Sequence, residues 1–137
     1  MSDKLRKVDY FHVMVPNKPG QGAKVMGALA AEGVNLLAFT AFPNEGKAQL
    51  DLIPEDSAKL RRAAKKLGLR LSTKKSGFLY QGKDRVGAMT GVFDKLAGAK
   101  INVTAVDAVS SGKGRFGAIF WVKPQALAKA ARLLGAK

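Results

Sequence analysis

The chain repeats itself at a spacing of 67 residues, and this constrains its fold more than any other feature, because one supersecondary unit must then be used twice. Glu32-Gly33-Val34-Asn35-Leu36 recurs as Ala99-Lys100-Ile101-Asn102-Val103. The same spacing carries Gly20 onto Gly87, Val25 onto Val92, Leu29 onto Leu96, Leu60 onto Leu127, Ala63 and Ala64 onto Ala130 and Ala131, and Gly68 onto Gly135. Ala, Gly and Leu are common enough to match by accident. Here they fall at equivalent points of one hydrophobic pattern, which reads as duplication.

Each copy resolves into elements by period. Phe11, Val13 and Val15 alternate with Tyr10, His12 and Met14, the mark of a strand with two unlike faces, and Pro16 stops it. After the turn Asn17-Lys18-Pro19-Gly20, Val25 and Leu29 fit a helix from about Gly20 to Glu32, ended by Gly33. Asn35 to Phe42 and Lys47 to Ile53 read as strands joined by the turn Pro43-Asn44-Glu45-Gly46. Pro54-Glu55-Asp56-Ser57 then opens a helix with Leu60, Ala63, Ala64 and Leu67 on one face and Gly68 as its cap. Leu69 to Thr73 is available as a closing strand. The second copy repeats the order: strand Phe78 to Gly82, helix Val86 to Ala99, strands Ile101 to Val109 and Arg115 to Val122, helix Pro124 to Leu134. Only Gly135-Ala136-Lys137 follow, so no closing strand remains for it; Leu69 to Tyr80 is expected to serve both copies as one long edge or two strands.

This order predicts an α+β fold of two ferredoxin-like βαββαβ units, the second lacking a closing strand, each an antiparallel sheet with both helices on one face. The expected domains are 1–73 and 74–137. A chain of 137 residues, 47% hydrophobic, can bury a core in one domain or two very small ones. Without cysteine there is no disulfide framework, thiol nucleophile or thiolate metal site, and a single histidine disfavours an imidazole metal cluster, so no cofactor is expected. The charged start and the lack of any long apolar run point to a cytoplasmic protein with no membrane span.

A hydrophobic strand, then Asn17-Lys18-Pro19-Gly20 opening a helix, then Gly33-Val34-Asn35-Leu36 opening the next strand resembles the ACT domain, a small regulatory ligand-binding module. The second copy resembles it more loosely, with Asp84-Arg85-Val86-Gly87 at the turn and Ile101-Asn102-Val103 at the strand start. The likeness spans about Val8 to Leu134 as two tandem units. It implies a non-enzymatic regulatory protein binding an amino acid where two such domains meet. By position the ligand-binding residues would be Asn17, Pro19, Gly20 and Asn35 in the first copy, and Asp84, Gly87 and Asn102 in the second. The histidine that serine-binding members carry two residues before the turn asparagine is Val15 here, and His12 does not match it, so serine is not implied.

Physical chemistry gives that site a rationale. A helix start offers unpaired N–H groups and a partial positive charge to a carboxylate near Gly20 to Gly22 or Gly87, where glycine admits close approach. An asparagine amide can accept from an ammonium and donate to a carboxylate, whereas Asp84 can only accept. The plainer reading makes Asn17 and Asp84 helix caps and Asn35 and Asn102 turn closers. Because each copy leaves sheet surface to bury, a homodimer is expected.

Gly112-Lys113-Gly114-Arg115-Phe116-Gly117 satisfies G-x-G-x-x-G but joins two strands, so it reads as a hairpin loop and not a dinucleotide fingerprint. His12 has no partner suggested by spacing, and no nucleophilic apparatus is visible. The alternative function is nucleic-acid binding. The formal charge is +14, with Lys59, Arg61, Arg62, Lys65, Lys66, Arg70, Lys74 and Lys75 all between Asp56 and Asp84. Phe116 and Phe120 share a strand face, which an RNA-recognition sheet would use for stacking together with Phe78 or Tyr80. A ligand-free interaction subunit is a third reading.

Overall fold

A computed structural model describes residues 3–137. Its elements in order are β1 (Lys4–Pro16), α1 (Gln21–Ala31), β2 (Leu36–Asn44), β3 (Lys47–Pro54), α2 (Ser57–Leu67), β4 (Lys75–Lys83), α3 (Thr90–Gly98), β5 (Val103–Gly112), β6 (Arg115–Val122), a single 3₁₀ turn (Pro124–Ala126) and α4 (Leu127–Leu134). The chain divides into two compact units. One is Asp9–Lys75; the other is Ser76–Lys137 together with the N-terminal segment ending at Val8.

In the Asp9–Lys75 unit the strand order is β2-β3-β1, both pairs antiparallel. Phe11, Val13 and Val15 stand opposite Leu52, Leu50 and Ala48, so the period-2 alternation puts the apolar residues of both strands on one face. Val25 and Leu29 of α1 and Leu60 and Ala63 of α2 close over that face to make the core. Asp56 has extended backbone and its side chain accepts from the Lys59 N–H at 3.1 Å, which starts α2. Glu45 and Gly46 both have positive φ, 51° and 80°, giving the tight two-residue loop whose twist matches its strands.

In the second unit the part of β1 up to Val8 is followed by β4, β6 and β5, with β4/β6 and β5/β6 antiparallel. Phe78 and Tyr80 face Phe120 and Ala118, and Leu96 of α3 and Ala130 of α4 complete a core of the same plan. Phe78 and Phe120 stack at 5.3 Å between ring centroids, and Phe93 of α3 meets Phe120 edge-on at 6.2 Å.

The duplication reappears in the backbone bonds. After α1, Gly33 N–H donates to Ala30 O at 2.9 Å and Val34 N–H to Leu29 O at 3.0 Å; after α3, Lys100 N–H donates to Ala97 O and Ile101 N–H to Leu96 O, both at 2.9 Å. Gly33 and Lys100 share the left-handed conformation, with φ of 75° and 60°. Gly68 and Gly135 cap α2 and α4 in the same way.

Three expectations change. Leu69 to Thr73 forms no strand: it runs beside β1, tied by Ser72 N–H to His12 O and His12 N–H to Ser72 Oγ, both 2.9 Å, with Leu69 and Leu71 packed on the core. The strand missing from the second unit comes from the other end of the chain. Leu5 packs onto its core, Lys7 N–H donates to Lys137 O at 3.1 Å, and Asp3 accepts from Tyr80 Oη at 2.6 Å and from Lys83 N–H at 3.0 Å. Lys4-Leu5-Arg6-Lys7 reads in sequence as a charged leader, and nothing local announces that its one leucine finds a core some seventy residues away. Finally, α3 starts at Thr90, not Val86, because Gly87 is left-handed (φ 68°) and Val86 is left fully exposed.

Candidate functional site

β1 ends at Pro16, and the chain turns at once, with Lys18 N–H donating to Pro16 O at 2.9 Å and Gln21 N–H to Lys18 O at 3.3 Å. Asn17, Lys18, Pro19 and Gly20 are all exposed. Gly20 is the N-terminal cap of α1 with φ 89°, no side chain supplies a cap bond, and the first turn carries no acidic residue. Asn17 is therefore not the cap. A β-carbon at Gly20 would meet open space, so this helix start, with its partial positive charge, faces outward unobstructed. α2, by contrast, is capped by Asp56.

Asn35 is committed elsewhere. Its Nδ2 donates to Glu55 Oε2 at 3.3 Å and its carbonyl accepts from Glu55 N–H at 2.9 Å, which ties the start of β2 to the β3–α2 connection. It also lies at the other end of the sheet. Pro16 pairs with Lys47, and Lys47 with Asn44 at the far end of β2, so the Asn17–Gly20 turn sits at one end and Asn35 at the other. The 11 residues of α1 separate them by about 16 Å. Within one unit, Asn17, Pro19 and Gly20 are brought together and Asn35 is not.

The second unit has the same layout with different bonds. Asp84 N–H donates to Gly114 O at 2.9 Å, and Ser110 Oγ donates to Asp84 Oδ2 at 2.8 Å, which anchors the turn to the β5–β6 hairpin. Asp84 is thus no helix cap either. Gly87 accepts from Thr90 N–H at 3.0 Å, and a β-carbon there would come within 3.0 Å of Thr90 Oγ1. Asn102 is exposed, just before β5 and again beyond the far end of the helix.

The structure also assembles a polar group the sequence reading missed. On the face of the first unit's sheet away from the helices, His12 stands directly opposite Asp51, which is buried; Gln49 Nε2 donates to Asp51 Oδ1 at 2.8 Å, and Asn44 Nδ2 to Gln49 Oε1 at 2.9 Å. Burial raises the Tyr10 phenol above its ordinary range, and the charge of Asp51 adds to that. The parity of Gln49 and Asp51 could have flagged a polar stripe; the partnership with His12 depends on strand register, which local pattern does not give.

The stacking platform of the nucleic-acid alternative is absent among the described residues. Phe120 is 0% exposed, Phe78 and Tyr80 are buried, and Phe116 packs partly buried against the same core, edge-on to Tyr80 at 6.3 Å. The aromatics do share a face, but it is the one the helices cover. The basic stripe persists on α2, where Lys59, Arg61, Arg62, Lys65 and Lys66 are exposed, with Lys66 paired to Glu32 at 3.2 Å and the Arg61 guanidinium 5.2 Å from the Phe11 ring centre. Among the described residues no cluster of three or more His, Cys, Asp or Glu could hold a metal ion, and no helix is long and apolar enough to cross a membrane.

No protein-family model matches this chain, and no curated protein sequence matches it. Solved structures do. A protein from Bacteroides thetaiotaomicron superposes with a TM-score of 0.81 at 18% identity, over 96% of this chain and 88% of that one. The ligand-free regulatory subunit of aspartate kinase from Thermus thermophilus gives 0.63 at 16% identity, over 98% and 95%. The corresponding subunit from Thermus flavus gives 0.55 at 16%, over 98% and 94%. At these identities the likeness establishes the α+β fold across nearly the whole chain.

Proposed function

We propose that this chain is a non-enzymatic regulatory protein that binds a small molecule, an amino acid in the first instance, where two domains of this fold meet. One observation carries the reading: α1 begins at an exposed glycine in the left-handed conformation, in a turn that also carries Asn17 and Pro19, and no side chain fills its cap. A ligand carboxylate supplies what that helix start lacks, an acceptor for its N–H groups and a negative charge at its positive end. The amide of Asn17 is on hand for either end of an amino acid. Asn35, some 16 Å away along α1, reaches the same ligand only from a second domain, which is why the site belongs to an interface. The resemblance to the ACT domain and the shared fold with aspartate kinase regulatory subunits support this assignment.

The second site, Asp84, Gly87 and Asn102, differs in chemistry. A carboxylate engaged by Ser110 favours the ammonium end of a ligand and repels the acid, so the two sites bind with unequal affinity.

A thermal-shift screen against the common amino acids tests the proposal. A ligand present at 100 times its Kd adds about 2.7 kcal/mol of stability, which a melting curve resolves readily. At least one amino acid is expected to raise the melting temperature, and Asn17→Ala and Asn35→Ala each to reduce that rise. A screen in which no amino acid moves the transition, or a shift that both variants leave intact, would refute it.

A further inference from the structure

The two repeats serve as controls for each other. Phe11 opposite Leu52 in one unit corresponds to Phe78 opposite Phe120 in the other, so the next pairs along these strands correspond as well. In the second unit that next pair is Leu79 and Ile119, both buried. In the first unit it is His12 and Asp51. The fold therefore accepts an apolar pair at this place, and apolar residues packed in place of buried charged ones are commonly neutral or stabilising. A polar pair kept where the fold does not require it points to a function.

Strand geometry brings the two side chains together. His12 N–H donates to Ser72 Oγ and His12 C=O accepts from Ser72 N–H, which turns both groups away from β3. His12 and Asp51 thus form a cross-strand pair without backbone bonds, the kind that sets β-carbons about 4.5–5.5 Å apart. Neither side chain is satisfied there. His12 Nδ1 is buried and has no hydrogen-bond partner among the described residues. Asp51, 8% exposed, is the one charged side chain buried among those residues. It accepts from the neutral Gln49 amide, and no Lys or Arg among the described residues is ion-paired with it, in a chain that carries 24 of them. A buried carboxylate calls for a cation, and this chain does not supply one.

A chain of bonds leads to Asp51 from the surface: exposed Asn44 donates to half-buried Gln49, which donates to Asp51. Gln49 stands in register between Phe42 and Met14, which are 41% and 37% exposed. We propose that this face of the Asp9–Lys75 unit binds a small organic ammonium carrying an apolar arm. The ammonium replaces the Gln49 amide on Asp51 and donates also to His12 Nδ1, in the tautomer that keeps its proton on Nε2. The arm lies over Phe42 and Met14. An ammonium only donates, which suits a carboxylate and a ring nitrogen that both accept. A bond charged on both sides is also stronger than the one from a neutral amide, and the Phe42 ring adds its own attraction for a cation. This site uses none of the residues of the Asn17–Gly20 turn and does not rest on the amino-acid reading.

Phenethylammonium is a suitable probe, because it has no carboxylate to place at a helix start, and phenethyl alcohol is its neutral counterpart. In NMR titrations of the isotopically labelled full chain, the ammonium should shift the His12 ring and Gln49 side-chain amide signals saturably, with a midpoint near about 1 mM for so small a ligand. The alcohol should bind about 10-fold more weakly or not at all. Asp51→Asn should weaken ammonium binding about 10-fold or more, whereas Asp107→Asn, at an exposed carboxylate of β5, should leave it unchanged. His12→Leu combined with Asp51→Ile copies the pair of the second repeat; it should abolish binding while the melting temperature holds or rises. No saturation up to about 20 mM, equal affinity for the alcohol, binding that survives Asp51→Asn, or a double variant less stable than the original protein would each overturn the proposal.

Discussion

Lys100 and Gly33 occupy the same place in the two repeats, and exchanging their residue types should move stability in opposite directions. Both follow a helix, both adopt left-handed backbone, and both donate the same bond three residues back at 2.9 Å. Lysine in that conformation carries roughly 1–2 kcal/mol of strain from its β-carbon. Glycine removes the strain but gives the unfolded chain more freedom, worth about 0.5–1 kcal/mol, and Lys100→Gly also forfeits roughly 0.3 kcal/mol of cation interaction at the C-terminus of α3. The balance leaves Lys100→Gly more stable by about 0.5 kcal/mol. The reverse change, Gly33→Lys, should destabilise by a similar amount; its new β-carbon would lie 3.2 Å from Lys59 Nζ, a flexible group that can withdraw. Urea titrations of the original protein and both variants, followed by circular dichroism, resolve such differences in the midpoint at constant slope. If Lys100→Gly is destabilising, or Gly33→Lys is neutral, then the hydrogen-bonding pattern that pairs these positions does not reflect a shared backbone conformation.

Two further outcomes follow from the core and from the N-terminal anchor. Phe120→Ala removes a fully buried ring that stacks on Phe78 and should destabilise by about 3–5 kcal/mol; a loss under about 1 kcal/mol in the same titration would mean that this ring does not lie beneath the helices. The bond from Tyr80, aided by the Lys83 N–H, holds the Asp3 carboxyl below its ordinary range, while burial first and the Asp3 bond second raise the Tyr80 phenol. A lowered carboxyl contributes stability that is complete above its unfolded pKa and lost as pH falls through the folded value; a raised phenol contributes below about pH 10 and loses it as pH rises further. Stability differences between the original protein and Asp3→Asn should therefore shrink below about pH 4, and a difference that persists undiminished at pH 2–3 would contradict the assignment.

Much of the fold is legible in the chain because its rules are local. Alternation at Phe11, Val13 and Val15 makes a strand with one apolar face, Asp56 and Gly68 mark the two ends of α2, and the spacing of 67 residues announces a second unit of the same plan. Of the candidate site, only the turn Asn17–Gly20 is legible locally, as the start of a helix; that Gly20 is left exposed, and that Asn35 lies at the other end of α1 bonded to Glu55, depends on the fold.

Tertiary structure decided whatever depended on partners distant in sequence. Alternation shows that Phe116 and Phe120 share a face but not whether helices will cover it, and they do. No local signal joins Ser110 to Asp84 or opposes His12 to Asp51, since those contacts follow from strand order and register. Nor does pattern reveal that the segment ending at Val8 belongs with the second unit, because a strand's periodicity says which side chains turn inward and nothing about whose core receives them. Sequence thus set the elements and their faces; the competition among distant surfaces for burial set their neighbours.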